Sequence, residues 1–394
     1  MSEPYGKSAP AATFHVARTS EEIEALRTDW TRLQDHPHAD IDFFLSLVES
    51  REEILGPHVI FARRGDRIVG LAIGRIEKAR IDCKIAYWTL LRPRVRRLTV
   101  VYGGNLGEAA GELAEGFMRE LAEALARNEA DVVMLHYLDV DSKVHRLART
   151  TPPRFRRDLF PRPSLHWRMS VPVSHEAYLE RLTRSKRREI RRYAKRLEES
   201  FGDRLEARCL REPKDVDAIF SEAESVAATT YQRGLGVGFD DTPERRGQIG
   251  LALGRGDFRA YLLYIDGEAR AFCYGMKHGR TFYTTDRAHD PDFAAHRLGQ
   301  YLQNQLIKDI CDDPQIEWMD LGFGDAEYKR ELCDRRAVES TILIFSGSLR
   351  AIGINLIRSA VGLAGETGRF LMERLKLAGR LKRAWRRSLA TGAR

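Results

Sequence analysis

Apolar residues recur every fourth position at Leu113, Phe117, Leu121 and Leu125. That period predicts a helix over Ala109–Arg127 with one face on a core. Amphipathic patterns also predict helices over Glu21–Leu33, Val216–Thr230 and Leu298–Cys311. Short apolar runs split by Gly-Asp or Asp-Gly predict hairpins. One joins Val59–Arg63 to Ile68–Ile76 across Arg64-Gly65-Asp66-Arg67, and another joins Arg259–Ile265 to Arg270–Lys277 across Asp266-Gly267. Further strands are expected at Val132–Tyr137, Thr281–Thr285 and Ile316–Leu321. Hairpin, helix and strand follow one another twice, so the chain reads as a duplicated α/β (α+β) unit.

Between the halves, Thr151–Pro163 holds four prolines in 13 residues and predicts an extended linker. The expected organisation is a first lobe over 14–150, a linker over 151–165, a second lobe over 166–346 and a tail over 347–394. After the linker, Tyr178–Leu197 reads as a helix with Leu179, Leu182, Ile190, Tyr193 and Leu197 on its apolar face. Between Arg181 and Arg196 it carries nine basic residues and one acid, Glu189. Such a run is either a solvated face or a cationic wall for an anionic substrate.

Charge sharpens this division. The 394 residues carry a net +8, yet residues 347–394 alone hold 11 Lys/Arg against two Glu. The body is therefore close to neutral and the basicity belongs to the tail, where Leu, Ile, Phe and Trp alternate with Arg and Lys. The longest weakly polar run there, Ala351–Gly365, is interrupted by Asn355 and Arg358 and is shorter than the ~20 apolar residues a bilayer span needs. The pattern predicts a helix lying on an anionic membrane surface, with packing on the body or dimer pairing as the alternative. Five scattered cysteines with no C-x-x-C pair predict neither a disulfide framework nor a zinc site, which fits a reducing cytosol. The polar segment Met1–Ala12 lacks the apolar core of a signal peptide. His36-Pro37-His38 has two imidazoles but no supporting carboxylate geometry, so no metal is expected.

The densest chemistry lies at the end of the predicted strand Ile316–Leu321. Asp320-Leu321-Gly322-Phe323-Gly324-Asp325 is followed by Tyr328 and Lys329. Two glycines let the backbone pass close to a ligand, and carboxylates, a phenol and an ammonium cluster there. About 20 residues upstream, His296-Arg297-Leu298-Gly299-Gln300 opens a helix, a place suited to hold an anion through free N–H groups and the helix dipole.

These residues resemble the tandem acetyltransferase-fold proteins of the cellulose-biosynthesis CelD type, relatives of the FemAB-like peptidyltransferases in the GNAT superfamily. The resemblance covers about residues 14–345. It rests on the helix leading to Trp30, on Asp42-Phe43-Phe44 and on the hairpin at Gly65–Gly70. In the second half it rests on the Ser185–Arg192 helix, on Arg297-Leu298-Gly299 and on Asp320–Gly324 with Tyr328-Lys329. The family often has Ser-Pro-Gly where this chain has Arg297-Leu298-Gly299, and the fuller Gly-x-Gly signature is absent. The resemblance implies two acyltransferase-like lobes and acyl-CoA as cosubstrate, its pyrophosphate near His296, Arg297, Gly299 and Gln300. FemAB-like relatives use aminoacyl-tRNA instead. It places the oxyanion-stabilising N–H on the strand Tyr283–Asp286, so Tyr283 and Asp286 join Asp320 and Asp325 as candidate acid–base groups. A carboxylate that is buried or next to its like is expected to have a raised pKa and so to be the better base. Tyr283 or Tyr328 would return a proton to the thiolate, and Lys329 would lie near acceptor or donor phosphate. Arg187, Arg191 and Tyr231 are the candidate substrate contacts. Cys273 and Cys333 lack a neighbouring His, which speaks against a covalent acyl-enzyme.

The implied function is amide formation from acyl-CoA and a primary amine. The tail favours an amphiphilic acceptor such as a sphingoid base, as in bacterial ceramide synthases, met at the inner face of the cytoplasmic membrane. An amino sugar in envelope polysaccharide assembly is the alternative, a non-catalytic scaffold the third reading, and nucleic acid is not favoured as a partner.

Overall fold

The computed structural model describes residues 11–374 apart from 86–87, 231–232 and 234–237. The chain divides into two compact units, and the first is discontinuous. Residues 11–163 join 338–374 in the first, and 164–337 form the second.

The first unit opens with β1 (Thr13–Ala17) and the short helices α1 (Ser20–Glu24), α2 (Arg27–Leu33) and α3 (Ile41–Ser50). Glu21–Leu33 is thus two helices rather than one, broken at Ala25-Leu26. A capping box starts α1, in which the Thr19 hydroxyl accepts from Glu22 N and the Glu22 carboxylate from Thr19 N. Strands β2 (Ile54–Pro57), β3 (Val59–Arg64) and β4 (Arg67–Arg80) follow, then the hairpin β5 (Cys83–Ile85) and β6 (Trp88–Leu91), and then β7 (Arg94–Gly107). Helix α4 (Ala114–Ala126) leads to β8 (Val132–Asp139) and α5 (Lys143–Thr150). The expected start of α4 at Ala109 shifts to Ala114, because turns bonded to Glu108 O occupy residues 107–113. Strand side chains alternate as a pleat requires. Ile60 and Ala62 pack with Phe117, Leu121 and Leu125 of α4, while Val59 packs with Ile23, Trp30 and Phe44 on the other face.

The second unit begins with β9 (Pro163–Ser170), α6 (His175–Arg181), α7 (Arg184–Phe201) and β10 (Leu205–Leu210). The single helix expected over Tyr178–Leu197 breaks at Leu182-Thr183, where both residues are extended and the Thr183 hydroxyl caps α7 by accepting from Lys186 N. Helices α8 (Val216–Ala228) and α9 (Pro243–Gly254) precede the meander β11 (Phe258–Ile265), β12 (Glu268–His278) and β13 (Thr281–His289). Then come α10 (Leu298–Cys311), β14 (Trp318–Phe323) and α11 (Glu327–Leu332). On β11, Tyr261, Leu263 and Ile265 face α10, and Ala260, Leu262 and Tyr264 face α8 and α9.

The remaining strand, β15 (Arg335–Phe345), carries the chain back into the first unit, and helix α12 (Leu349–Arg374) follows. Strand order in the first sheet is β1-β3-β4-β7-β8-β15, with β2 on β4; in the second it is β10-β11-β12-β13-β14-β9. Both are mixed. In each, three antiparallel strands lead through a helix to a fourth parallel to the third, and an antiparallel strand closes the far side. The closing strand is exchanged: β15 follows the second unit in sequence yet pairs with β8, and β9 follows the first unit yet pairs with β14. The sequence reading carried the second lobe to 346; in the structure residues 338–345 belong to the first unit.

The proline-rich segment is likewise built in rather than a spacer. A 3-10 turn at Arg154–Arg156 precedes Asp158, whose N–H donates to Leu343 O, and Arg157 bridges Ile344. No helix among the described residues is long and apolar enough to cross a membrane. Of the predicted tail, 375–394 lies outside the described residues.

Candidate active site

The second unit contains a fork. Strands β13 and β14 run parallel for three pairs, Thr281↔Trp318 to Tyr283↔Asp320, and then part. Beyond that point β13 stays on β12, and β14 stays on β9. At the fork β13 bulges: Cys273 pairs with Arg287 and Gly275 with Thr284, so Tyr274 faces both Thr285 and Asp286. Gly275 is required there, since a Cβ would lie 2.4 Å from Tyr283 O. A cleft of about 260 Å³ opens beside the bulge, lined by Ala227, Thr230, Phe239, Thr285, Asp286 and Arg287.

Asp320 sits at the branch point, buried. His166 Nε2 lies 2.8 Å from one carboxylate oxygen, Gly322 N–H donates to the same oxygen at 2.7 Å, and Arg168 Nε donates to the other at 3.0 Å. Burial alone would raise its pKa, but the His166 bond and charge, with Arg168 and Gly322 N–H, outweigh it and hold the carboxyl below the usual Asp range. Asp325 is exposed and paired with Arg330 at 2.7 Å, a bond that also pulls its pKa down. The raised pKa that would mark the better base is therefore found at neither, because each has a basic partner within hydrogen-bond reach. Asp286 accepts from Arg245 at 2.5 Å and from the Tyr274 hydroxyl at 2.6 Å. Burial drives the Tyr274 pKa well up, so that phenol stays a donor.

Lys329 is buried on α11, and its ammonium donates to Gly322 O at 3.1 Å and Phe323 O at 2.6 Å. Gly322, at φ +67°, adopts a left-handed conformation that L side chains resist. Burial, then the charge of Arg287, lowers the Lys329 pKa. Arg287 lies 4.0 Å over the Tyr328 ring and reaches Gln303 at 3.3 Å. The Tyr328 pKa is raised by burial against the opposing Arg287. Asp320, Tyr328 and Lys329 are thus brought together around Arg287 and the fork, whereas Asp325 turns away toward Arg330. Tyr283 occupies the last paired position on β13, half-buried.

At the start of α10, Arg297 is left-handed (φ 57°) and its guanidinium lies 5.7 Å from the Tyr193 ring of α7, against which Arg192 also stacks at 5.1 Å. His296 sits edge-on to Phe201 at 4.9 Å. Gly299 lies beside His289, to whose Nδ1 a Cβ would come within 3.7 Å, and Gln300 N–H closes the first turn onto Arg297 O. The basic helix and the helix start therefore meet. The side chains of Arg187, half-buried, and Arg191, exposed, make no hydrogen bond or ion pair among the described residues. Tyr231 lies outside the described residues. Cys273 and Cys333 are each pushed by burial up to about 12, which leaves both as thiols. Among the described residues no group of three His, Cys, Asp or Glu side chains is placed to hold a metal.

Sequence reasoning missed His166, Arg168, Arg245, Tyr274 and Arg287. Arg287 adjoined a chosen residue and was readable as its neighbour. His166 and Arg168 share one face of a strand by alternation, but nothing in sequence pairs them with a carboxylate more than 150 residues on.

Residues 184–330, within the second unit, match the model of the acetyltransferase (GNAT) domain family. None of the curated proteins matches the chain. Among solved structures, the chain is similar to FemX at 11% identity and TM-score 0.52, covering 85% of this chain and 97% of that one. It is also similar to the C-terminal domain of a putative lysylphosphatidylglycerol synthetase from Agrobacterium fabrum, at 13% identity and TM-score 0.50, covering 87% and 97%. At these identities the likeness is one of fold.

Proposed function

We propose that the chain is an acyl-CoA-dependent N-acyltransferase that joins an acyl group to a primary amine as an amide. The observation that carries this reading is the bulged fork of β13 and β14 opposite the start of α10, inside the segment that matches the GNAT domain. The amine nitrogen attacks the thioester carbonyl, a C–N bond forms, and the C–S bond breaks to release CoA thiolate. Backbone N–H at the Thr285–Asp286 bulge steadies the oxyanion. Asp320, ionised and coupled to His166, accepts the ammonium proton, and Tyr328, kept protonated by burial, supplies one to the thiolate and regains one from the nitrogen of the tetrahedral adduct. Donor phosphates rest on the first turn of α10, with Arg297, Arg187 and Arg191 around them. Lys329 fixes the Gly322–Phe323 turn that shapes the fork. Asp286 and Asp325 are positioning groups held by Arg245 and Arg330.

The acceptor is an amphiphilic amine such as a sphingoid base, met by a protein resting on the inner membrane surface through residues 347–394. The supporting feature is the tail, basic and rich in Leu and Ile. An amino-sugar acceptor is the second reading, favoured by the small cleft and its Thr230, Thr285 and Asp286 lining.

Incubation with detergent-dispersed long-chain bases and a series of acyl-CoAs, read by mass spectrometry, tests this. Amide that forms with wild type and falls about a hundredfold in Lys329→Ala supports a lipid N-acyltransferase with this site. Acyl-CoA binding without lipid product, but with acylated glucosamine, moves the acceptor to amino sugars. Absence of acyl-CoA binding sinks the acyl-CoA reading and leaves an aminoacyl-tRNA donor or the scaffold.

A further inference from the structure

Among the described residues, most of the large apolar side chains left in water lie on three segments of the first unit. The β5–β6 hairpin exposes Leu90 (60%) and Leu91 (44%). The built-in proline segment exposes Phe155 and Leu159. Helix α12 exposes Leu349 (90%), Leu356 (54%) and Leu363 (55%), spaced by seven, which places them on one stripe. Its opposite face is the one that packs: Ala351 and Ile354 are buried against strands β7, β8 and β15.

The three segments are fixed to one another. Helix α12 rests on β5 and on the Arg154–Arg156 turn. Buried Asn355 donates from Nδ2 to Phe155 O at 2.9 Å and Arg157 O at 2.8 Å, and Arg358 pairs with buried Asp158 at 2.6 Å. Arg350 reaches from α12 to Arg94 O at 2.5 Å. The exposed leucines thus stand on a rigid base rather than on a loose tail.

Charge selects the occupant. Residues 80–96, 154–163 and 349–363 together hold eleven basic residues and two acidic ones. A second copy of this surface would set like charge against like. An anionic lipid bilayer accepts both the apolar tips and the arginine rim.

We infer that the β5–β6 hairpin, the Phe155–Leu159 segment and the outer stripe of α12 form one docking surface for an anionic lipid bilayer. The first unit then serves as the membrane-binding module. This extends the membrane-facing acceptor reading and rests on it only for the acceptor's identity, because docking is measured without acyl transfer.

The test is co-sedimentation of the full chain with phosphatidylcholine vesicles, with and without phosphatidylglycerol. A variant carrying Leu90→Gln, Leu91→Gln, Leu356→Gln and Leu363→Gln runs in parallel. All four side chains are exposed, and an unchanged circular dichroism spectrum and melting temperature check that the fold is kept. Expected is binding that requires phosphatidylglycerol, weakens with salt, and drops about tenfold or more in the variant. No binding of wild type to anionic vesicles overturns the inference. Equal binding by the variant overturns it too, by moving the contact to another part of the chain. A wild-type dimer that the variant converts to monomer, with no vesicle binding, assigns the stripe to a second copy instead. Acyl transfer to a detergent-dispersed amine should be unchanged in the variant, so failure of docking and failure of the enzyme reading are told apart.

Discussion

The two units repeat one topology and differ where its parallel strands part. In the second, the last pair before the fork is Tyr283↔Asp320; in the first it is Val100↔Leu135, both buried and apolar. The helix after the third strand differs as well. Helix α10 has no acid in its first turn and Arg297 at its cap, while α4 starts with Glu115 and follows Glu108 and Glu112. A helix start favours an anion only where neighbouring charges permit it. The forked backbone is thus present twice, and the charges of the proposed acyl-donor site are present once. The fold specifies the fork, and a handful of side chains decides whether it does chemistry.

The severest way to break the comparison is to separate the units. A chain ended after Pro163 lacks β15 and with it the buried Ile342, Ile344 and Phe345. At about 1.5–3 kcal/mol for each such side chain, the loss rivals the whole stability of a domain. The expected product is insoluble or shows no cooperative melting; a sharp calorimetric transition would show that the first unit folds alone.

Next come two buried carboxylates with arginine partners. Glu77 of the first unit accepts from Arg97 at 2.6 Å and from Thr99 at 2.6 Å, with Arg75 at 3.1 Å. Glu77→Ala strands those cations, so it should cost about 3–5 kcal/mol of stability and leave kcat of the surviving protein unchanged. Asp320→Asn should do the reverse, lowering kcat on the order of a hundredfold with a modest change in melting temperature. Denaturant titration and steady-state kinetics on both variants separate the roles.

Acid offers a graded version. Burial would raise the Glu77 pKa, but Arg75, Arg97 and Thr99 outweigh it and lower it to about 2. A depressed folded pKa contributes stability fully present above the unfolded value near 4.5, and lost as pH falls toward 2. The melting-temperature gap between wild type and Glu77→Gln should therefore be widest near neutral pH and close in acid. A gap independent of pH would mean that the charge of Glu77 is not what it contributes.

The smallest effect is expected at Gly322. An alanine there must adopt φ near +67°, which costs about 1–2 kcal/mol. The carbonyls that seat Lys329 would shift with it, so urea titration should show the loss together with a rise in KM.

Much of the fold was legible, for local reasons. Helix Leu298–Cys311 has the bounds its four-residue period gives, and both Gly-Asp and Asp-Gly hairpins form where the turn chemistry places them. What escaped was set by distant partners. Thr151–Pro163 reads as a spacer because its hydrogen-bonding strand lies about 190 residues on. The Asp320 pKa was expected to rise because burial was inferable and His166 was not. The placing of Lys329 beside Gly322 and Phe323 was legible because they lie close together in sequence.

The exchanged closing strands also set an order of events during synthesis. When Pro163 leaves the ribosome, β8 has β7 on one side and nothing yet on the other. Its partner follows only after Ser164–Ala337 has been made, roughly 10–35 s later at about 5–20 residues per second. Through that interval the nascent chain carries the open edge Val132–Asp139, whose residues Val132 to Leu135 are all buried in the finished fold. An unpaired apolar edge is a template for aggregation, so the yield of this protein in a cell should depend on translation speed and on chaperones that shield that one strand.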